Sequence, residues 1–453
     1  MLAEFAVLAQ AGAFSTFLNT VVKGLAIGSV YAIIALGFVI IFKATQVVNF
    51  AQGAIAAAGG LFVSFLVFDK VGDAPKGQTP FTSWRAPFAG EGLPDVGEQW
   101  LAMLFVSLVA GAVVSALAGV LLPGGRRFLY AFAGAYLFLA VISGFTDGEP
   151  LWAVNFLIAM AIAAAVGLAL DRPDPRALLP FIGGTVATFV FLIVIGAIDV
   201  GWLEWLGNLV IALVFGAALG MVLERVAIRP MIGEPLFSMA VITLGLEIVI
   251  RVFTNDSVKI LNRPIEVPWR GDPFVDETPG GFRFLDSFYN YSYFAIFAAT
   301  AISFIAVFLF YRSKLGVAMR AVSFDQEAAM AQGIKVGQVF AIAWAFGAAL
   351  GVLGGVFATQ PPIDQAGAVG VTTAFVAFRA LPAVILGGLD SVQGALVGGL
   401  LIGLAEIFAG QYLSQWTTTL GPGYQQIVPY IVMLAVLLVR PFGLFGTPEI
   451  RRV

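Results

Sequence analysis

The sequence contains no cysteine and no histidine. The first absence excludes disulfides and thiolate metal sites. The second removes the commonest metal ligand and the one side chain that titrates near neutrality without help. No metal and no cofactor is therefore expected. Charge is scarce too: 11% of 453 residues, where soluble domains carry about 25%. The net charge of −3 gives no reason to expect nucleic acid as a partner. There is no GxxxxGK[ST] phosphate loop, so ATP is not bound by that means, and no nucleophile elbow. Pairs of carboxylates fall mainly in loops, where solvation accounts for them. Catalysis by this chain is not expected. Residues 1–23 lack a basic n-region and do not read as a cleaved signal peptide.

What is abundant is apolar surface. The chain is 60% hydrophobic, with a mean hydropathy of +0.96. Such an excess has to face lipid. The apolar runs are continuous, which rules out the alternation of a transmembrane β-barrel. Runs of spanning or near-spanning length lie at 24–42, 53–68, 101–122, 128–146, 151–170, 179–199, 205–226, 237–253, 293–311, 338–358, 373–388, 393–410 and 425–440. The expected fold is all-α, a polytopic transmembrane helical bundle of about 12–13 spans at about 20 residues each. The runs at 53–68 and 373–388 are short, and each either spans or re-enters. The 52 glycines fit close helix packing and broken helices.

Basic residues set the orientation. The loop 312–337 holds Arg312, Lys314, Arg320 and Lys335 against Asp325 and Glu327. The tail holds Arg440, Arg451 and Arg452 against Glu449, and the turn at 123–127 adds Arg126 and Arg127. All three fall on one side, read as the cytoplasm. The loops 69–100 and 254–291 are acidic and lie on the other. Both are rich in Pro and Gly, and the second also has the aromatic and β-branched residues of a small ordered cap.

Several polar groups stand out. VVNFAQG, Val47 to Gly53, sets Asn49 and Gln52 three residues apart, a spacing that puts both on one helix face, either lining a substrate pathway or hydrogen-bonding between helices. Gln393-Gly394 weakly echoes Gln52-Gly53, each pair opening a Gly/Ala-rich helix, as duplicated transporter halves do. Glu247 and Arg251 are spaced i,i+4 to form a charge-neutralising pair within one helix. Arg379, Asp390 and Glu406 bracket the region 373–410. Glu406, within a span, faces a partner or water, or else snorkels to an interface. Gly387-Gly388 and Gly398-Gly399 allow close helix approach or a break. On the cytoplasmic side, LGVAMRAVSFDQEAAMAQGIKV, Leu315 to Val336, reads as one short amphipathic helix bounded by Gly316 and Gly333. Asp325 is its N-cap, Glu327 suits its first turn, and Ala328, Ala329 and Ala331 form a small-residue face. An ordinary solvated loop with a helical turn is the alternative.

The spacing of Gly316, Arg320, Asp325, Glu327, Ala328, Ala329 and Gly333 resembles the coupling loop of LivH-type permeases, the inner-membrane subunits of branched-chain amino-acid ABC importers. YAIIALGFVIIFKATQVVNFAQG, Tyr31 to Gly53, resembles that family's N-terminal signature. ERVAIRPMIGEP, Glu224 to Pro235, resembles its early cytoplasmic turn. Ala377 to Glu406 resembles its gating region, and RPFGLFG, Arg440 to Gly446, its closing tail. With the helices between them, these motifs cover about 24–68 and 205–446. The resemblance implies the ABC importer permease fold, with an N-terminal segment 1–69, an inserted block of about four spans at 70–200, and a core segment 201–453. It implies a second permease subunit, two cytoplasmic ATPase subunits and a periplasmic binding protein as partners, in lipid of a bacterial inner membrane. It also implies a pathway formed by Asn49, Gln52, Gly53, Gly387, Gly388, Gln393, Gly394 and Glu406. The family usually has histidine where this chain has Gln52, so hydrogen bonding rather than proton chemistry is expected there. Urea or short-chain amide import is the alternative within the class. An ion-coupled secondary transporter is the alternative outside it.

Overall fold

The computed structural model describes residues 2–67, 201–231, 235–258, 262–265, 267–269, 280–285, 287–364, 367–414, 421 and 423–446. The spans expected between 101 and 199 lie outside these. The chain divides into two compact units, one of Met1–Leu61 with Leu219–Val453 and the other Phe62–Ala218. The functional residues below all belong to the first.

In chain order the helices are α1 (Leu2–Thr45), α2 (Gln52–Val67), α3 (Gly201–Leu223), α4 (Leu236–Val258), α5 (Tyr291–Arg312), α6 (Lys314–Phe324), α7 (Gln326–Ala331), α8 (Val336–Ala358), α9 (Val376–Gly387), α10 (Val392–Tyr412) and α11 (Val428–Val439). Among the described residues, five stretches are long and apolar enough to cross a membrane: Ala13–Thr45, Trp205–Met231, Tyr291–Arg312, Val336–Ala358 and Val392–Tyr412. The first is longer than the run read from sequence, because Asn19, Thr20 and Lys23 interrupt the hydropathy without breaking the helix.

The architecture is not purely helical. Two short antiparallel ladders pair β1 (Asn262–Pro264) with β4 (Ala368–Gly370), and β2 (Gly281–Phe284) with β3 (Ser287–Asn290). They build the expected cap. Trp269 Nε1 donates to Ser292 Oγ at 2.9 Å, and its ring stacks on Phe357. Cap and coupling loop thus occupy opposite ends of α5, which starts next to β3 and ends at Arg312.

Helices α1 and α8 form the centre. Their apolar stretches are 89% and 83% buried, against 28% for α5, whose Ile302, Ile305 and Leu309 face outward. Glycine permits the packing. A methyl on Gly28 of α1 would lie 2.7 Å from Leu400 Cα of α10, and one on Gly399 would lie 2.7 Å from Ala32 N. Gly28 and Ala32 are four apart, as are Gly399 and Gly403, which is the small-xxx-small spacing that brings membrane helices into backbone contact.

The basic side is also coherent. Lys43 Nζ, near the end of α1, donates to the Asp390 carbonyl at 3.2 Å and sits over the Tyr311 ring. Arg320 Nη1 donates to the Tyr311 carbonyl at 2.6 Å. Arg229 grips both carboxylate oxygens of the buried Glu224, at 3.0 and 3.1 Å, and reaches the Gly337 carbonyl at the start of α8. The RPFGLFG tail folds onto the end of α9: Leu444 N donates to Leu386 O and Phe445 N to Gly387 O. It thereby satisfies carbonyls that a helix end leaves free. Gly388 is required here, with φ of +104° and Gly446 N only 2.6 Å from where a Cβ would stand.

Candidate functional site: two interrupted helices

The polar stretch after α1 folds back into the bundle. Gln46 adopts φ of +58° and ends α1, and residues 47–51 return towards the centre. Gln52, the first residue of α2, lies against Gly37, about 12 Å from the Thr45 end of α1, and against Gly347, about 17 Å from the Val336 end of α8. Since Ala56 then meets Gly355 while Ile34 of α1 meets Gly354, α2 runs antiparallel to α1. It begins near mid-depth.

Asn49 and Gln52 do meet, but not by sharing a helix face. Asn49 precedes the helix and closes a turn. Its Oδ1 accepts from Ala51 N at 3.1 Å and its carbonyl accepts from Gln52 N at 3.1 Å. Its Nδ2 donates to Gln52 Oε1 at 3.0 Å, and Gln52 Nε2 donates to the Gly347 carbonyl at 2.8 Å. Both side chains are fully buried. The slot exists because Gly37, Gly347 and Gly351 lack side chains; a methyl on Gly351 would stand 2.7 Å from Gln52 Nε2. A residue that sequence reasoning passed over completes it. The buried Thr243 Oγ1 of α4 accepts from Phe50 N at 3.2 Å and lies 3.1 Å from the Val48 carbonyl. Threonine in an apolar helix looks unremarkable, and only the fold shows that it serves the backbone of another segment.

A second interrupted helix starts beside the first. The 3-10 turn Val371–Phe375 leads into α9, and Gly53 packs directly on Ala374 and Ala377. From this meeting point α2 runs towards the cap. The 12-residue α9 covers about 18 Å towards the coupling end, roughly half of a hydrocarbon core of about 30 Å. The two helix N-termini, each carrying a partial positive charge, therefore adjoin inside the bundle.

Charge surrounds that point. Arg251 Nε lies 2.8 Å from Glu247 Oε1 on α4, and its guanidinium sits 5.7 Å from the Phe375 ring at the start of α9. On the next turn of α9, Arg379 Nη1 lies 4.0 Å from Glu406 Oε1, while Tyr31 Oη of α1 donates to Glu406 Oε2 at 2.6 Å. Glu406 thus ties α1, α9 and α10 together. Tyr31, fully buried, is a second residue the sequence left unremarked.

The remaining candidates lie elsewhere. Gln393 is exposed in the first turn of α10 at the coupling end, far from Gln52; Ser391 Oγ caps that turn by accepting from Gly394 N at 3.0 Å. Gly387 and Gly394 press backbone to backbone in the α9–α10 hairpin. The coupling loop is two helices, not one. Ser313 caps α6, which contains Gly316 rather than starting at it. The extended Asp325, at φ −156° and ψ 110°, breaks the run and caps α7, its Oδ1 accepting from Ala328 N at 2.9 Å. Gly333 ends the unit with φ of +81°. Ala329 is buried, whereas Ala328, Glu327 and Met330 are exposed. Phe324, at the hinge between the helices, is 90% exposed, a bare aromatic that the small-residue pattern drew attention away from.

Comparison with known proteins fits this architecture. The family described as "Branched-chain amino acid transport system / permease component" matches residues 20–130 and 182–437. The high-affinity branched-chain amino acid transport system permease protein LivH of Escherichia coli K12 is 28% identical over 325 residues, 70% of this chain and 99% of the relative. BraD, the corresponding permease protein of Pseudomonas aeruginosa, is 28% identical over 323 residues, 69% of this chain and 97% of the relative. A probable LivH of Methanocaldococcus jannaschii is 33% identical over 139 residues, 30% of this chain and 42% of the relative. No solved structure matches significantly. With most of its length matched and its long apolar helices in place, the chain is a multi-pass membrane protein that belongs to the branched-chain amino acid transport system permease component family.

Proposed function

We propose that this chain forms half of the membrane pathway of an ATP-driven importer that carries branched-chain or related small amino acids inward across a bacterial inner membrane. Its family membership is the observation that carries the reading, since the matched relatives are described as branched-chain amino acid permeases and are covered almost end to end. Hydrolysis belongs to two separate ATPase subunits, delivery to a periplasmic binding protein, and the other half of the pathway to a second permease subunit.

In this reading the pathway passes the meeting point of α2 and α9. Broken helices around a central site are a common transporter design, because adjoining N-termini and amides solvate a polar cargo where lipid cannot. Asn49, Gln52 and Gly53 hold the break, Glu406 ties the surrounding helices, and Gly387, Gly388, Gln393 and Gly394 form the hinge at the inner end. Glu247 and Arg251 neutralise each other beside it. Residues 70–200 include an inserted block on the periphery, of which 131–181 fall between the two family-matched stretches.

The ATPase docks on α6 and α7. Gly316, Arg320, Asp325, Glu327, Ala328, Ala329 and Gly333 shape a stiff lever. Arg320 fastens it to the end of α5 and Asp325 sets the angle between its helices. Phe324 and Met330 provide the apolar contact. Uptake of radiolabelled leucine, against urea, by the full complex in vesicles tests the reading: leucine is expected to accumulate and urea not.

A further inference from the structure

We propose that the polar cavity at the cap end of α1 binds the carboxylate of a small amino acid, and that Lys23 is the group that holds it. The inference rests on the importer reading above and places the outer mouth of its pathway at this cavity. The cavity has a volume of about 210 Å³ and lies between α1, β3, the first turn of α5 and Pro361 after α8. That is room for about seven waters at about 30 Å³ each, below the roughly 300 Å³ at which drug-sized pockets begin. It suits a single small molecule.

Its chemistry is one-sided. Lys23 contributes the lone charge, and no carboxylate lines the cavity. The other cations of the apolar helices are engaged: Lys43 with the Asp390 carbonyl, Arg251 with Glu247, Arg379 with Glu406. Among the described residues, Lys23 makes no hydrogen bond or ion pair. Tyr293, only 3% exposed, also lines the cavity, and its hydroxyl has no hydrogen-bond partner among those residues. The walls are fixed. Asn19 Nδ2 donates to the Phe288 carbonyl at 2.9 Å, Ser287 Oγ donates to the Ser15 carbonyl at 3.3 Å, and Asn290 Oδ1 accepts from Ser292 N at 2.8 Å. That leaves the Lys23 ammonium, the Tyr293 hydroxyl and the Asn290 amide as donors for a carboxylate. Asn19 Oδ1 remains as an acceptor for an ammonium.

Snorkelling of a lysine to a membrane surface would leave its head in open water. Lys23 instead lines a cavity that other elements wall in and furnish with further donors. Lys23 stands about 33 Å from the Thr45 end of α1, about one hydrocarbon thickness from the coupling end, where substrate arriving from outside would first meet the permease.

Two measurements test this on the intact complex. Saturation-transfer NMR without the binding protein should show leucine methyl signals for the wild type, at least tenfold weaker signals for leucinamide, and a similar tenfold loss in Lys23→Met that Lys23→Arg restores. Reconstituted uptake should show at least a tenfold rise in the apparent KM for Lys23→Met. Equal signals for leucine and leucinamide, or a Lys23→Met protein that matches the wild type in both assays, would overturn the proposal. So would a defect confined to vesicles containing phosphatidylglycerol, which would assign the cavity to a lipid headgroup. A Lys23-dependent NMR signal in a complex that fails to transport leucine would sink the importer reading and leave the site standing.

Discussion

Gln52 shows how a single side chain holds a break in a membrane helix. Asn49 and Gln52 are fully buried, so the chain reversal between α1 and α2 must satisfy its own polar groups. It does so through Asn49, Gln52, Thr243 and the Gly347 carbonyl. Replacing Gln52 with Leu leaves Asn49 Nδ2 without its acceptor and removes the interhelical bond to the Gly347 carbonyl, which keeps its bond within α8. Interhelical hydrogen bonds in membranes contribute about 0.6–2 kcal/mol. A stability loss of about that size is expected in detergent melting, with leucine uptake falling at least tenfold and membrane insertion unchanged. Equal losses of uptake and insertion would show a purely structural part. Thr243→Val should behave in the same way, since its methyl groups cannot accept from Phe50 N. Tyr31→Phe removes the bond to Glu406 alone, and Arg379 remains at 4.0 Å. A loss of about 1.5–3 kcal/mol is expected, as for a hydrogen bond to a charged group, again read by melting.

At the scale of elements, how much was legible depends on whether the signal is local. The long helices declare themselves by hydropathy, and Asp325 by its cap spacing, because both depend on neighbours within a turn or two. Depth in the membrane does not. Nothing in VVNFAQG records that the chain climbs back to mid-level, because that position is set by Gly37, Gly347 and Thr243, distant in sequence. The same limit hid the partnership of Tyr31 with Glu406, 375 residues apart. It also hid the docking of the tail on α9, since RPFGLFG looks the same whether packed or free. The coupling stretch was read as one helix because its composition is uniformly helical, and the break at Asp325 is a matter of φ and ψ. Two predictions belong here. Gly403→Val should drive α1 and α10 apart, since any Cβ at Gly403 strikes the backbone of Gly28. Overpacking of this kind costs about 1–3 kcal/mol, and a lowered melting temperature of the purified complex is the readout. Phe324→Ala should leave that melting temperature unchanged, because the ring touches little within the chain, while reducing co-purification of the ATPase subunits at least tenfold. Undiminished co-purification would remove Phe324 from the docking surface.

At the largest scale, the parts of the first unit form one vertical arrangement. The cap and the Lys23 cavity stand at one end, the adjoining starts of α2 and α9 at mid-depth, and the α6–α7 lever at the other, beside the hairpin of α9 and α10. Arg320 fastens α6 to α5, and Lys43 joins the end of α1 to the loop after α9, the short routes by which the proposed lever would act on the midpoint. The sequence holds no histidine, and the buried Glu247 and Glu406 each lie within 4.0 Å of an arginine. The proposed function takes ATP hydrolysis by partner subunits as the source of work. The most direct test is leucine uptake by vesicles containing this chain, its permease partner, the ATPase subunits and the binding protein. Accumulation only when ATP is supplied on the ATPase side, unaffected by collapsing sodium and proton gradients, is the predicted result. Accumulation that survives removal of the ATPase subunits and follows an imposed ion gradient would contradict the account.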